Sequence, residues 1–199
     1  MKKVLWFGSL VVALVLSPLA VAGSDTPLEF VKSRQTELST LVKKGGSSEN
    51  KKKIENVFDA ILDYDTLAQR SLRDHWSERT DAERREFQDV LKQLVQRAYR
   101  KNLDRTLDYD VSFGETSQAD EGYLVRTVAQ NRKNAREEPI SIDYSLHKVG
   151  SDWKIRDIVT EGSSLVSNYQ QQFNRIIKKD GFPELMRRMK KRLASGSSE

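Results

Sequence analysis

Past its first two dozen residues, the chain changes periodicity twice. Apolar residues recur at every third or fourth position as far as Leu103, at every second position across the next fifty residues or so, and at every third or fourth again to Leu193. The first and last regimes predict amphipathic helices and the middle one predicts half-buried strands. Pro27 suits the first turn of a helix, whose stripe is Leu28, Val31, Leu38, Leu41 and Val42. Lys43 to Ser48 reads K-K-G-G-S-S and predicts a loop. A second helix is expected from about Glu49 to Asp63, with Ile54, Val57, Phe58, Ile61 and Leu62 inward, and a short one from about Thr66 to Leu72, leading to Trp76. Thr80 and Glu83 have the T-x-x-E spacing of a capping box. The long helix they open sets Phe87, Val90, Leu91, Leu94, Val95, Ala98, Tyr99 and Leu103 on one face. That face is too broad for a coiled-coil seam and predicts burial against a sheet. The other face, with Arg84, Arg85, Lys92, Arg97 and Lys101, is basic. It reads as a solvated face or as a docking surface.

The alternating stretch predicts four strands. Leu107, Tyr109, Val111 and Phe113 alternate with polar residues. Tyr123, Val125, Thr127 and Ala129 follow, with Leu124 and Val128 on the other side. Asn131 to Pro139 is a polar turn. Ile140, Ile142, Tyr144 and Leu146 form the third strand, and Gly150-Ser151-Asp152 turns into a fourth with Trp153, Ile155, Ile158 and Val159. Short connections and alternation predict an antiparallel sheet with one wet face. Gly162 supplies a turn, and a serine after it can cap the next helix, which carries Leu165, Val166, Tyr169 and Phe173 and ends near Asp180-Gly181. Pro183 starts a last helix with Leu185, Met186, Met189 and Leu193. The expected fold class is α+β, with a twisted antiparallel four-stranded sheet packed against helices. No repeat or linker divides residues 23–193, which read as a single domain, and 194–199 read as a disordered tail.

The first 22 residues stand apart. Lys2 and Lys3, the apolar run Val4 to Leu16 and the small residues Ala20-Val21-Ala22 have the make-up of a signal peptide cleaved after Ala22. The run is short for a bilayer span, which takes about 20 apolar residues, and Pro18 interrupts it. The formal net charge is +5, and removing Lys2 and Lys3 leaves +3. That balance argues against nucleic acid as a partner, since no basic run is interleaved with aromatics. Without cysteine there is no disulfide, thiolate metal site or lipidated cysteine.

Candidate chemistry is sparse. Gly162-Ser163-Ser164 lacks the second glycine of a G-x-S-x-G elbow, because Val166 occupies that place. His75 and His147 fit no metal-ligand spacing, and no phosphate-binding glycine loop is present. No metal, nucleotide or other cofactor is expected. Asp157, with Asp143 and Tyr144, leaves open a small cone-shaped enzyme, such as an isomerase acting on an apolar small molecule, by analogy of fold alone.

Two blocks bear a family resemblance. One is W-K-I-R-D-I from Trp153, then E-G-S-S-L-V-x-N-Y from Glu161 and Q-x-F ending at Phe173. The other is Phe58, Tyr64-Asp65, Leu67-Ala68-Gln69-Arg70-Ser71-Leu72 and Trp76. Together the chain resembles the MlaC family, the toluene-tolerance auxiliary proteins of ABC transporters, over nearly all of its length after the leader. The resemblance implies a soluble periplasmic protein that is not an enzyme. Such a protein would carry diacyl phospholipid between the two membranes of a Gram-negative cell and maintain outer-membrane lipid asymmetry. It also implies two partners, an inner-membrane ABC transporter with a lipid-binding ring and an outer-membrane lipoprotein bound to a porin. The sheet and helices would enclose an apolar cavity holding the lipid as cargo. The walls expected there are Leu91, Val95 and Tyr99 of the long helix, Val125, Ile142, Tyr144 and Val159 of the strands, and Val166 and Tyr169 of the closing helix.

Overall fold

The computed structural model describes residues 26–119 and 121–195, so the leader lies outside the described residues. Helix α1 (Pro27–Lys43) is capped by the Thr26 hydroxyl, which accepts from the Glu29 N–H, and α2 (Ser48–Ile61) is capped by Ser47. The second helix stops short of the expected Asp63. Leu62 turns extended and pairs in parallel with Ile155, while the Asp63 N–H donates to the Ile155 carbonyl. Asp63 instead caps α3 (Tyr64–Leu72), accepting from the Thr66 N–H at 2.9 Å. A single turn, α4 (Asp74–Ser77), precedes the long α5 (Asp81–Thr106). The capping box is present: the Thr80 N–H donates to Glu83 at 2.8 Å and the Glu83 N–H to the Thr80 hydroxyl at 3.3 Å.

Strands β1 (Tyr109–Ala119), β2 (Gly122–Asn131), β3 (Ile140–Val149) and β4 (Asp152–Thr160) form an antiparallel meander. A fifth strand, β5 (Ser163–Ser164), pairs back on β4, so the sheet has five strands rather than the four expected. The addition comes from the tight turn at Gly162 (φ +72°), which lays the two serines along the β4 edge before α6 (Leu165–Asp180) begins. Ser164 caps α6 through the Ser167 N–H, Gly181 (φ +83°) ends it, and α7 (Phe182–Ser195) closes the chain. Helix α7 takes in Ala194 and Ser195, two residues beyond the Leu193 expected to end the domain.

The core forms where α3, α5, α6 and α7 meet the sheet. Phe87, Leu91, Val95, Leu72, Leu146, Val125 and Leu185 are almost wholly removed from water, each worth about 1.5–3 kcal/mol of transfer free energy for a side chain of this size. Phe87 stands edge-on to Phe173 at 5.6 Å, a favoured aromatic geometry. Two irregularities bend the sheet, between Phe113 and Thr116 of β1 and where β3 Ser145–Leu146 faces β4. Each adds local twist, and the second decides which residues of β4 face the interior.

Candidate functional site

Directly paired residues of antiparallel strands share a face. Val125, Tyr144 and Ile158 form one such row across β2, β3 and β4, and Thr127, Ile142 and Thr160 form the next. Val125 and Thr127 are buried, whereas Tyr144 and Ile158 are partly buried and pack on the core. Leu91, Val95 and Tyr99 follow one another at four-residue intervals on α5, and Val166 and Tyr169 lie in the opening turns of α6. These elements bound a cleft lined by Val95, Tyr99, Ile155, Ile158 and Leu165, with Asp63, Arg156 and Asp157 among its polar residues. Its free volume is about 10 Å³, room for about one water. Among the described residues the structure does not show the open apolar cavity expected between sheet and helices; Leu91, Val95, Tyr99, Val125, Tyr144, Val166 and Tyr169 instead belong to one packed cluster.

Val159 is not one of those walls. Leu146 pairs with Ile155 and Ser145 with Asp157, so Arg156 is an extra residue in β4. The extra residue shifts the alternation by one. Ile158 joins Tyr144, and Val159 pairs with Asp143 on the opposite face. Ile142 shares the face of Tyr144 but lies beyond the packed core, beside Thr127 and Thr160.

The cleft joins aliphatic side chains and Tyr99 to three charged ones, Asp63, Arg156 and Asp157, each held by partners within the fold, and aromatic rings pack around it. Tyr99 stacks on Phe58 at 4.7 Å and Tyr169 on Phe173 at 5.2 Å. Burial pushes the Tyr144 hydroxyl up to about 12 and raises that of Tyr169. Burial, reinforced by the neighbouring Tyr144, Tyr64 and Tyr169 and by Asp157, holds Tyr99 far above the ordinary phenol range. Tyr64 is raised as well, by burial and by Asp59. All four stay neutral at physiological pH.

A larger space opens to one side. A groove of about 850 Å³ is lined by Thr26, Pro27, Leu28, Tyr123 and Trp153, with Glu121, His147 and Lys148 among its polar residues. Two side-chain pairs join groove and cleft, His147 with Asp63 and Glu121 with Arg156. Arg156, which lines the cleft, donates from Nη1 to Glu121 Oε2 at 2.8 Å and from Nε to the Ser145 hydroxyl at 3.0 Å. Arg70 of α3 donates to the same Glu121 oxygen.

The family model described as MlaC protein matches residues 32–191. The chain belongs to the MlaC family. No curated protein matches it. Among solved structures, it is similar to a phospholipid-binding protein from Ralstonia solanacearum in complex with a phospholipid. The TM-score is 0.74 at 24% identity, over 87% of this chain and 98% of that one.

In this MlaC-family chain the polar residues picked out from the sequence are engaged in holding the fold. Asp157 accepts from the Ile158 N–H (2.9 Å), the Val166 N–H (3.1 Å) and the Ser164 hydroxyl (2.6 Å), fixing the turn into α6. Ser163 accepts from the Asn168 amide, while His147 pairs with Asp63, so no serine–histidine pair forms. His75 joins α4 to α6 through Asn174 at 3.0 Å. Among the described residues no three potential ligands cluster as a metal site would require. The basic side of α5 is also partly used within the molecule. Arg84 donates to the Trp76 and Ser77 carbonyls, Lys92 pairs with Asp59 at 2.8 Å, and Arg97 donates to the carbonyls of Arg192 and Leu193. Sequence reading missed Arg156 and Glu121 as a pair, because nothing in the spacing of residues 121 and 156 brings them together before the sheet is folded.

Proposed function

We propose that this chain is a periplasmic carrier of diacyl phospholipid. In this reading it moves lipid between an outer-membrane lipoprotein–porin complex and an inner-membrane ABC transporter with a lipid-binding ring, maintaining outer-membrane lipid asymmetry. The observation that carries the reading is the apolar interior between α5, α6 and the sheet, where aromatic and aliphatic side chains meet next to an open groove and the charges at its edge, Asp63, Arg156 and Asp157, are each held by internal partners. The Ralstonia solanacearum protein of the same fold, described as phospholipid-binding, supports it. The physical need is large. A diacyl lipid with roughly thirty methylenes costs on the order of 20 kcal/mol to hold bare in water, at about 0.8 kcal/mol each, so both tails must be enclosed. Drug-sized ligands already fill about 300–1,000 Å³, so the walls must part for the tails. The proposed walls are Leu91, Val95, Tyr99, Val125, Tyr144, Val166 and Tyr169, with Ile142 toward the rim. Head groups remain at the groove.

The isomerase alternative needs an available acid in the cleft, and the Asp157 carboxylate already accepts three hydrogen bonds. Native mass spectrometry of the protein purified from cells without added lipid tests the reading. A bound mass equal to a diacyl phospholipid is expected. A lipid-free preparation that also takes up none from vesicles would overturn it.

A further inference from the structure

The least economical feature of the cleft is a cation. Arg156 is the extra residue of the β4 bulge, and its side chain is only 7% exposed. A buried guanidinium costs several kcal/mol unless an anion and hydrogen bonds compensate it. The anion here is Glu121, a side chain 65% exposed, in the β1–β2 turn. The same Glu121 oxygen also accepts from Arg70, which is 40% exposed. Two guanidiniums thus converge on one carboxylate oxygen, one positive charge more than Glu121 compensates, while the nearby Asp63 and Asp157 carboxylates are taken up by other donors.

Glu121 is a weak keeper of that position. Its own side chain is 65% exposed and stands in a turn, so it can give way to water once another anion compensates Arg156. A phosphodiester carries the same single negative charge with more acceptor oxygens, and arginine forks bind such oxygens in pairs. Exchange of one monoanion for the other keeps Arg156 compensated throughout. The place is also right for a lipid, since Arg156 lines the cleft and Glu121, its partner, lines the open groove.

Resting on the carrier reading, we infer that Arg70 and Arg156 form a phosphate site for the lipid head group, and that Glu121 occupies it when no phosphate is bound. Recognition then reads the phosphate and not the alcohol attached to it. Ethanolamine and glycerol head groups are carried alike, and diacylglycerol with identical tails is held less well.

The test loads purified protein from vesicles containing equal amounts of phosphatidylethanolamine, phosphatidylglycerol and diacylglycerol with the same acyl chains, and quantifies what is retained. The wild type should favour both phospholipids over diacylglycerol. Arg70→Gln should reduce that preference about tenfold, the value of a charged hydrogen bond. Arg70→Gln with Arg156→Gln should abolish it, and Glu121→Gln should increase it by removing the competing anion. If the double variant does not fold, Arg70→Gln and Glu121→Gln, both at exposed positions, decide alone. An unchanged preference in Arg70→Gln, or a reduced one in Glu121→Gln, would overturn the inference. Inorganic phosphate is the parallel probe, followed by ³¹P NMR. Saturable binding of free phosphate without preference among the lipids would assign the arginines to a free anion and overturn the head-group role. Equal retention of all three lipids by the wild type would remove this inference and leave the carrier reading intact. Retention of none would remove both.

Discussion

His147 Nε2 lies 2.7 Å from Asp63 Oδ2, which ties the third strand to the residue that caps α3. Asp63 also receives the Thr66 N–H and hydroxyl, and its own N–H donates to β4. One residue, through its side chain and its backbone N–H, therefore ties the start of α3 and the end of α2 to the sheet. Burial works against the charged form, but the hydrogen bonds from Thr66 and the pairing with His147 prevail and hold the Asp63 carboxyl below its usual value.

A carboxyl whose value is lowered by folding stabilises the fold fully above the unfolded value, about 3.9 for aspartate. That stability is lost as pH falls from there through the folded value. Asp63→Asn keeps a capping side chain and removes the titration. Its unfolding midpoint should therefore fall less than that of the wild type between pH 5 and pH 2. Asp63→Ala should cost about 1–2 kcal/mol at neutral pH from the lost cap alone. Denaturation curves across that pH range check both. An identical acid limb in the wild type and Asp63→Asn would show that other carboxylates govern acid unfolding.

Gly122 offers a sharper backbone test. It has φ +149°, and a Cβ there would stand 2.0 Å from the Leu146 carbonyl oxygen. The obstacle is strand β3 itself, which cannot move without losing its pairing to β2 and β4. Gly122→Ala should therefore destabilise by more than about 2 kcal/mol, above the common range for a surface change. Gly46→Ala, which meets only the flexible end of Lys51 at 3.5 Å, should be nearly silent. Urea unfolding of the two variants makes the comparison.

The helices and the meander were legible because each carries its own period. The capping box at Thr80, the proline at the start of α1 and the glycine after α6 mark their elements by local chemistry alone. Three features were not legible, all for one reason: they depend on pairing between distant segments. Leu62 reads as the last inward residue of a helix, yet its carbonyl-side neighbour Asp63 is claimed by β4 and α3. Ser163-Ser164 reads as a turn and a cap, and only the neighbouring edge of β4 makes it a strand. Ile158-Val159 presents two adjacent apolar residues, and the bulge at Arg156, which chooses between them, leaves no mark in the hydrophobic pattern. The same bulge supplies the buried arginine, so the sequence concealed the cation of the site together with the register that creates it.

That register gives a paired test of the walls. Ile142 lies on the face of Tyr144, and Val159 on the face of Asp143. Val159→Arg would find the Asp143 carboxylate directly opposite, a favourable cross-strand pairing, and should leave both folding and lipid retention within the scatter of the wild type. Ile142→Arg would set an unpartnered charge at the rim of the apolar face, which is costly without compensation. It should fold, because Ile142 lies outside the packed core, and lose most of its lipid. Circular dichroism with lipid quantification separates folding from retention. Loss of lipid in Val159→Arg with retention in Ile142→Arg would reverse the assignment of faces.

The last expectation concerns where the chain works. The leader reading places the cut after Ala22, and among the described residues no helix is long and apolar enough to cross a membrane. A carrier that moves between two membranes must bind each partner briefly, through contacts that are small and partly charged. Charges not committed within the molecule are the candidates for such contacts. On α5, Arg84, Lys92 and Arg97 already have internal partners, which shifts attention to Lys148 at the rim of the groove, whose ammonium overlies only the Trp153 ring. Fractionation should recover the protein in the soluble periplasm with Gly23 as its first residue. Binding to the membrane partners should weaken as salt rises from 0.05 to 0.5 M, a range over which the screening length falls well below about 10 Å. A protein found only in the washed membrane pellet with Met1 to Ala22 still attached would be tethered, and could not shuttle.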